Sequence, residues 1–185
     1  DYDQFSPKLS VVHQLSEAHN VYANYRHSFR APPVGSLFRP GSSQRSEELK
    51  PVKADSIEFG FRGVFSGRYS YELAIYELKK SDDIVSVIDG NDRMVINAGE
   101  TLHKGIELGV QADITDEWNL GFSWSQTEQT YKEFQYLFQC FSPACGRIIP
   151  GPPIVETRNF EGFDIGKAPE SIGNLSIRYT PLAIE

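Results

Sequence analysis

Two cysteines, one methionine and two tryptophans are all that this 185-residue chain holds of those residue types. It also lacks any long apolar run. A spanning helix needs about 18 consecutive apolar residues, and no such window exists, so helical membrane crossing is excluded. Basic clusters are missing too. The net charge is −7, and the longest basic run, Lys79-Lys80, is followed at once by Asp82 and Asp83. That argues against a nucleic-acid partner. Glycines occur without a Walker or dinucleotide pattern. The four histidines, His13, His19, His27 and His103, have no zinc spacing, so no metal site and no cofactor is expected. Asp89-Gly90-Asn91-Asp92 lacks the ligand spacing of a calcium loop.

No secretory leader is expected within residues 1–185. Asp1 starts in mid-pattern, without a basic stretch or an apolar stretch behind it. The expectation is therefore a piece of a longer precursor whose export signal lies upstream. Cys140 and Cys145 fit a small surface disulfide in an oxidising compartment; two free thiols are the alternative.

What the chain does have is period-two hydrophobicity. In His19–Arg30, Val21, Ala23, Tyr25 and Phe29 share one parity, while Asn20, Tyr22, Asn24, Arg26 and Ser28 share the other. In a strand these are opposite faces. Ala54–Phe65, Tyr69–Lys80, Gly105–Thr115 and Glu117–Tyr131 alternate in the same way, as do shorter stretches from Phe5 to Leu15 and from Asn174 to Tyr179. Very short gaps fall near Leu15–Ala18, Ser66–Arg68 and Thr115–Glu117. Very long ones fall at Ala31–Lys50, Lys79–Gly99 and Lys132–Gly166.

Tight turns at one end and long loops at the other are the pattern of a bacterial outer-membrane β-barrel. A mean hydropathy of −0.39 does not oppose this, because only alternate residues of such strands face lipid. Aromatics crowd the strand ends: Phe65, Tyr69, Tyr71 and Trp118 by the short turns, and Phe29, Trp124 and Tyr131 toward the long loops. Two interfacial girdles are expected from them. The competing all-β reading is a secreted β-sandwich binding module, which also alternates but with shorter strands.

The fold class expected is thus an antiparallel transmembrane β-barrel segment. About seven strands are countable, an odd number, whereas complete single-chain bacterial barrels have even counts. On the polar parity stand Lys8, Arg26, Glu58, Arg62, Glu72, Glu107, Asp113 and Arg178, expected to line a wet lumen. No histidine falls convincingly on that parity within these stretches, which argues against an enzyme with a Ser/His/Asp constellation in the wall.

Four motifs carry a resemblance. Asn20-Val-Tyr-Ala-Asn-Tyr-Arg-His-Ser-Phe-Arg-Ala-Pro32 ends a strand in a Phe-Arg-Ala-Pro box. Leu49-Lys-Pro is followed by Glu58-Phe-Gly60. Asn97-Ala-Gly99 is followed by Lys104-Gly-Ile-Glu107. Ala168-Pro-Glu precedes Asn174-Leu-Ser-Ile-Arg-Tyr179-Thr-Pro. In this order and at this spacing they resemble the barrel of TonB-dependent outer-membrane receptors, over essentially the whole chain. Val52 departs from the Glu common after the Lys-Pro.

The resemblance implies a barrel of about twenty-two strands, of which residues 1–185 are a part. The plug domain, TonB box and last strands are absent from the sequence. It implies energised uptake of a scarce nutrient, most often a ferric siderophore, with haem, cobalamin or an oligosaccharide as alternatives. The partners implied are that ligand, outer-membrane lipid and lipopolysaccharide, and the TonB complex acting through the plug. Haem receptors of this family carry a ligating histidine between the Phe-Arg-Ala-Pro box and the Leu-Lys-Pro segment. Here Pro33–Lys50 contains none.

Cationic loop residues Arg39, Arg45, Lys50, Arg147 and Arg158 are candidates for an anionic ferric chelate, through charge-assisted hydrogen bonds. Phe38, Phe134, Tyr136, Phe138 and Phe141 are candidates for its organic shell. The alternative is an ordinary mixed-charge surface, since Glu47, Glu48, Glu133, Glu156, Glu161 and Asp164 lie among them.

Overall fold

The computed structural model describes residues 4–37, 49–89, 92–166 and 169–181. One antiparallel sheet dominates. Its strands are β1 (Lys8–Gln14), β2 (His19–Arg30), β3 (Val52–Phe65), β4 (Tyr69–Asp89), β5 (Asp92–Asp113), β6 (Trp118–Glu133) and β9 (Ser171–Tyr179), each paired with the next. A separate hairpin joins β7 (Gln135–Cys140) to β8 (Ile154–Asn159). Among the described residues the helical content is a single turn, Val34–Leu37, after the Pro32-Pro33 exit of β2, and a 3₁₀ turn at Pro143–Cys145. Among the described residues no helix is long and apolar enough to cross a membrane.

The register sorts the residues into faces. Arg62 stands between Asn20 and Glu72, and the same row runs on through Gly109 and Ser123 to Asn174. One residue along, Val21, Phe61, Leu73, Leu108 and Trp124 form an unbroken apolar row. The alternation in each strand is therefore in phase across the sheet, as it must be for one face to be uniformly apolar.

That apolar face covers nothing. Phe59 is 55% exposed and Ile75 52%, in mid-sheet positions where a sandwich would bury them. The few buried apolar residues among those described, Leu49, Val52, Ala74, Ala112 and Phe134, make no second layer. A single sheet with a bare apolar face and a charged opposite face needs two solvents. Lipid on one side and water on the other supply them.

The short connections are locally encoded. Ser66 and Gly67 both take left-handed backbone, at φ 53° and 65°, which matches the strand twist between β3 and β4. The Thr115 hydroxyl accepts from the backbone N–H of Glu117 and Trp118, closing the β5–β6 turn.

Two expected loops contain strands. The Lys79–Gly99 gap is the continuation of β4 and β5 into a long hairpin. There Ile84-Val85, Val87-Ile88 and Met94-Val95-Ile96 are adjacent rather than alternating, so period two is lost. Above the bilayer neither face is committed to lipid, and the alternation has no cause. The Lys132–Gly166 gap contains the β7–β8 hairpin for the same reason. Of the expected upper girdle, Trp124 is the last apolar residue of its face on β6, before Gln126 and Glu128, while Tyr131 lies on the polar face, against Phe134 and Phe160.

Candidate functional site

On the polar face, Arg26, Glu58, Arg62, Glu72, Glu107 and Arg178 all share one side, with Lys8 and Asp113. Around Tyr22 they form a network. The Tyr22 hydroxyl donates to Glu72 Oε1 at 3.0 Å, and Asn24 Nδ2 donates to Glu58 Oε1 at 3.1 Å. Arg62 Nε donates to Asn20 Oδ1 at 3.0 Å, and its guanidinium lies 5.4 Å from the Tyr22 ring centre. The side chains of Glu107 and Arg26 have no hydrogen-bond or ion-pair partner among the described residues. Tyr22, Glu58, Glu72 and Glu107 line a shallow groove of about 410 Å³ whose floor is made by the small Ala74 and Gly109.

Two tyrosines on this face lie across glycines of the neighbouring strand. Tyr22 crosses Gly60 to reach Glu72 on β4, and Tyr76 crosses Gly105 to reach Thr127 on β6 at 3.0 Å. The opposite face repeats the device. His19 crosses Gly63, and its Nδ1 meets the Tyr71 hydroxyl at 2.8 Å. Sequence reading placed Tyr22 on the polar parity without a role. The role needs the register, which the sequence alone does not state.

The apolar rows stop at the level of Ile57. On the same face and level, Lys104 pairs with Glu77 at 3.2 Å, and just above, Lys79 pairs with Glu100 at 2.7 Å. His27 Nδ1 meets Asp55 at 2.8 Å there. These charges mark the upper limit of the lipid band, on the side of the long connections. The His27 hydrogen bond holds the Asp55 carboxyl below its ordinary value. His103 lies above this limit and, contrary to the sequence reading, on the polar face. The true extent of β5 brings it in, between Thr101 and Gln129. Burial pushes its pKa down.

The long connections form the rim. Cys140 and Cys145 are joined by a disulfide. Arg147 turns inward on its own loop: Nη1 donates to the Phe141 carbonyl at 2.8 Å, Nε to Gly151 at 3.0 Å and to Pro152 at 3.2 Å. Its donors thus hold the loop's shape. The Arg158 guanidinium stacks 3.6 Å over the Phe138 ring. Tyr131, Phe134, Phe160 and Phe163 form an aromatic cluster at the base of the hairpin, with Phe163 62% exposed. Phe38, Arg39 and Arg45 lie outside the described residues, and so does the side chain of Tyr136. Among the described residues no cluster of His, Cys, Asp or Glu could hold a metal ion.

A family model described as "TonB dependent receptor-like, beta-barrel" matches residues 1–183. The chain belongs to this family. The receptor chain is 29% identical over 132 residues to the catecholate siderophore receptor Fiu of Escherichia coli K12, covering 68% of this chain and 17% of that protein. It is 25% identical over 126 residues to the ferric-pyoverdine BN7/BN8 receptor of Pseudomonas putida, covering 66% and 15%. Its fold matches the siderophore receptor PiuA of Acinetobacter baumannii with a TM-score of 0.63 at 18% identity, over 95% of this chain and 24% of that one. The receptor chain therefore spans about a sixth of the curated relatives it matches, as 17% of Fiu shows. It is a partial wall of an outer-membrane barrel, with short turns at the periplasmic end and long loops outside.

Proposed function

We propose that this wall serves an outer-membrane receptor that captures a ferric siderophore at its extracellular rim and imports it with energy from the TonB complex. The observation that carries the reading is the single-layer wall: lipid-compatible on one face, wet and charged on the other, in a chain whose relatives are named as catecholate and pyoverdine receptors. Arg158, Lys50 and the exposed aromatics of the rim supply charge and ring surface suited to an anionic chelate with an organic shell. Residues 1–185 form part of the barrel domain, while the plug and TonB box lie in the rest of the protein. The unpartnered Glu107 and the neighbouring Glu58 face the space that a plug would fill. The wall itself is assigned no catalytic step, and its outer face meets phospholipid and lipopolysaccharide.

The test is uptake in iron-starved cells lacking the full-length gene. Loss of radioactive iron uptake from a tris-catecholate chelator, restored by the gene and dependent on TonB, is the expected result. Unchanged iron uptake together with lost haem or cobalamin uptake would overturn the siderophore assignment.

A further inference from the structure

The Asn97-Ala98-Gly99 triplet sits on β5 where three extracellular segments converge. Asn97 Oδ1 accepts the backbone N–H of Lys50 at 2.8 Å, and Nδ2 donates to the Lys50 carbonyl at 3.0 Å and to the Asp82 carbonyl at 2.6 Å. Both amide donors are therefore used. The orientation of the amide is fixed by its partners, since a flipped group would set oxygen against two carbonyls. Lys50 precedes Pro51, which biases it to extended backbone. An extended residue turns its N–H and C=O to the same side. A planar side-chain amide can then pair with both, as a neighbouring strand residue would.

The third partner is local. Asp82 has φ 57° and interrupts the β4–β5 ladder, which resumes at Asp83↔Ala98 in the same register. Its carbonyl is thereby freed for Asn97. Two residues on, Gly99 lies against β6: a Cβ there would stand 2.2 Å from the Glu133 carbonyl oxygen. Here the β5–β6 register also shifts, between Glu100 and Thr101. Only a glycine admits that approach. On one side of the triplet is the chain entering β3, anchored by buried Leu49 and Val52. On the other is the chain leaving β6 for the β7–β8 hairpin.

We infer that Asn97 is a positioning residue. Its amide stands in for a strand residue, and with Gly99 it locks the end of the β2–β3 loop, the β4–β5 hairpin and the exit of β6 into one fixed spacing. The spacing of these three segments sets the mouth through which ligand enters. The link to ligand capture rests on the siderophore-receptor reading; the lock itself rests on hydrogen-bond geometry alone.

The experiment uses the full-length receptor, as Asn97→Asp, Asn97→Ala and Gly99→Ala. Asn97→Asp keeps the shape but sets oxygen against two carbonyls. Heat-modifiable mobility confirms an assembled barrel before any comparison. Hydrogen exchange is expected to accelerate about ten-fold at Lys50 in Asn97→Ala, which removes the acceptor of that N–H, the scale of one lost hydrogen bond. In Asn97→Asp, which keeps the acceptor, it should accelerate less. It should accelerate as well in Gln135–Cys140, across the triplet. Gly99→Ala should do the reverse, loosening Gln135–Cys140 first and Lys50 with it.

Uptake of radioactive iron from a tris-catecholate should show a half-saturation raised about ten-fold at an unchanged maximal rate. A general assembly defect would lower the maximum instead. Unchanged exchange at Lys50 in assembled Asn97→Ala would overturn the lock. Acceleration at Lys50 with none in Gln135–Cys140 would overturn the coupling. If the wild type takes up no iron from this chelator, the siderophore reading fails, and the exchange results still decide the lock.

Discussion

Tyr22 lies across Gly60, and the two are a matched pair: a Cβ at residue 60 would stand 2.1 Å from the tyrosine ring. The absent side chain is what lets the Tyr22 hydroxyl reach Glu72, on the strand beyond. We predict that Gly60→Ala displaces the ring and destabilises the full-length barrel by about 1–3 kcal/mol, the usual cost of overpacking. Tyr22→Phe should cost less, about 1 kcal/mol, because only the hydrogen bond is lost. In Gly60→Ala with Tyr22→Ala the costs should be strongly sub-additive. Urea unfolding in lipid vesicles measures these variants together with Tyr22→Ala alone, and simple additivity of Gly60→Ala and Tyr22→Ala would refute the pairing.

The two faces should differ sharply in tolerance. Arg in place of Leu108 or Phe122 puts a charge into lipid and should cost about 2–4 kcal/mol near mid-bilayer. Ser in place of Glu107, one residue from Leu108 but on the lumen face, should leave assembly unchanged. Equal yields of folded barrel for Leu108→Arg and Glu107→Ser would sink the assignment of faces.

Arg147 is expected to act on the rim's order rather than on ligand charge. Arg147→Ala removes the donors to the Phe141, Gly151 and Pro152 carbonyls. Limited proteolysis of intact cells should then cut between Phe141 and Gly151 faster than in the wild type. Arg147→Lys, which keeps the charge but not the forked donors, should be cut at nearly the Ala rate. Wild-type resistance in the Lys variant would argue for charge instead.

Asp55 should make barrel stability depend on acid. Its carboxyl is held below its ordinary value of 3.8, chiefly by the His27 hydrogen bond. The folded state therefore prefers the ionised form more than the unfolded state does. The contribution is complete above the ordinary value and is lost as pH falls through the lower folded one. Asp55→Asn should flatten this acid limb of the unfolding midpoint. Both groups are partly exposed, so salt should shrink the effect. An acid limb unchanged in Asp55→Asn would exclude the pair as its source.

How much of this was readable beforehand depended on solvent. Where each strand separates lipid from water, parity is enforced at every residue. The faces of Ile57–Phe65 and Ile106–Ile114 could therefore be read directly. Past Glu77 and Lys104 that enforcement stops, and the upper halves of β4 and β5 looked like loop. His103 was missed on the lumen face for this reason. Asn97 and Gly99 were visible as a motif, but their partners Lys50, Asp82 and Glu133 come from three other segments. The tyrosine–glycine crossings were hidden likewise, because which glycine sits beside which tyrosine is a matter of register. Closeness made a Cys140–Cys145 disulfide the expectation, with two free thiols as the alternative; the inward turn of Arg147 could not be foreseen.

β4 and β5 keep one register from Tyr69↔Ala112 to Asp89↔Asp92, with Asp82 the sole interruption. That continuity restricts how the hairpin can change length as the protein diverges. A residue gained in one strand alone would turn every later side chain to the other face, or be absorbed as a bulge. Matched gains, one in each strand, extend the tip and leave everything below in place. In the β6–β9 connection the β7–β8 pairs obey the same restriction, but the segment from Phe141 to Pro153 between them is in no ladder. Insertions and deletions of any size should therefore accumulate there, while the β4–β5 hairpin drifts by paired steps.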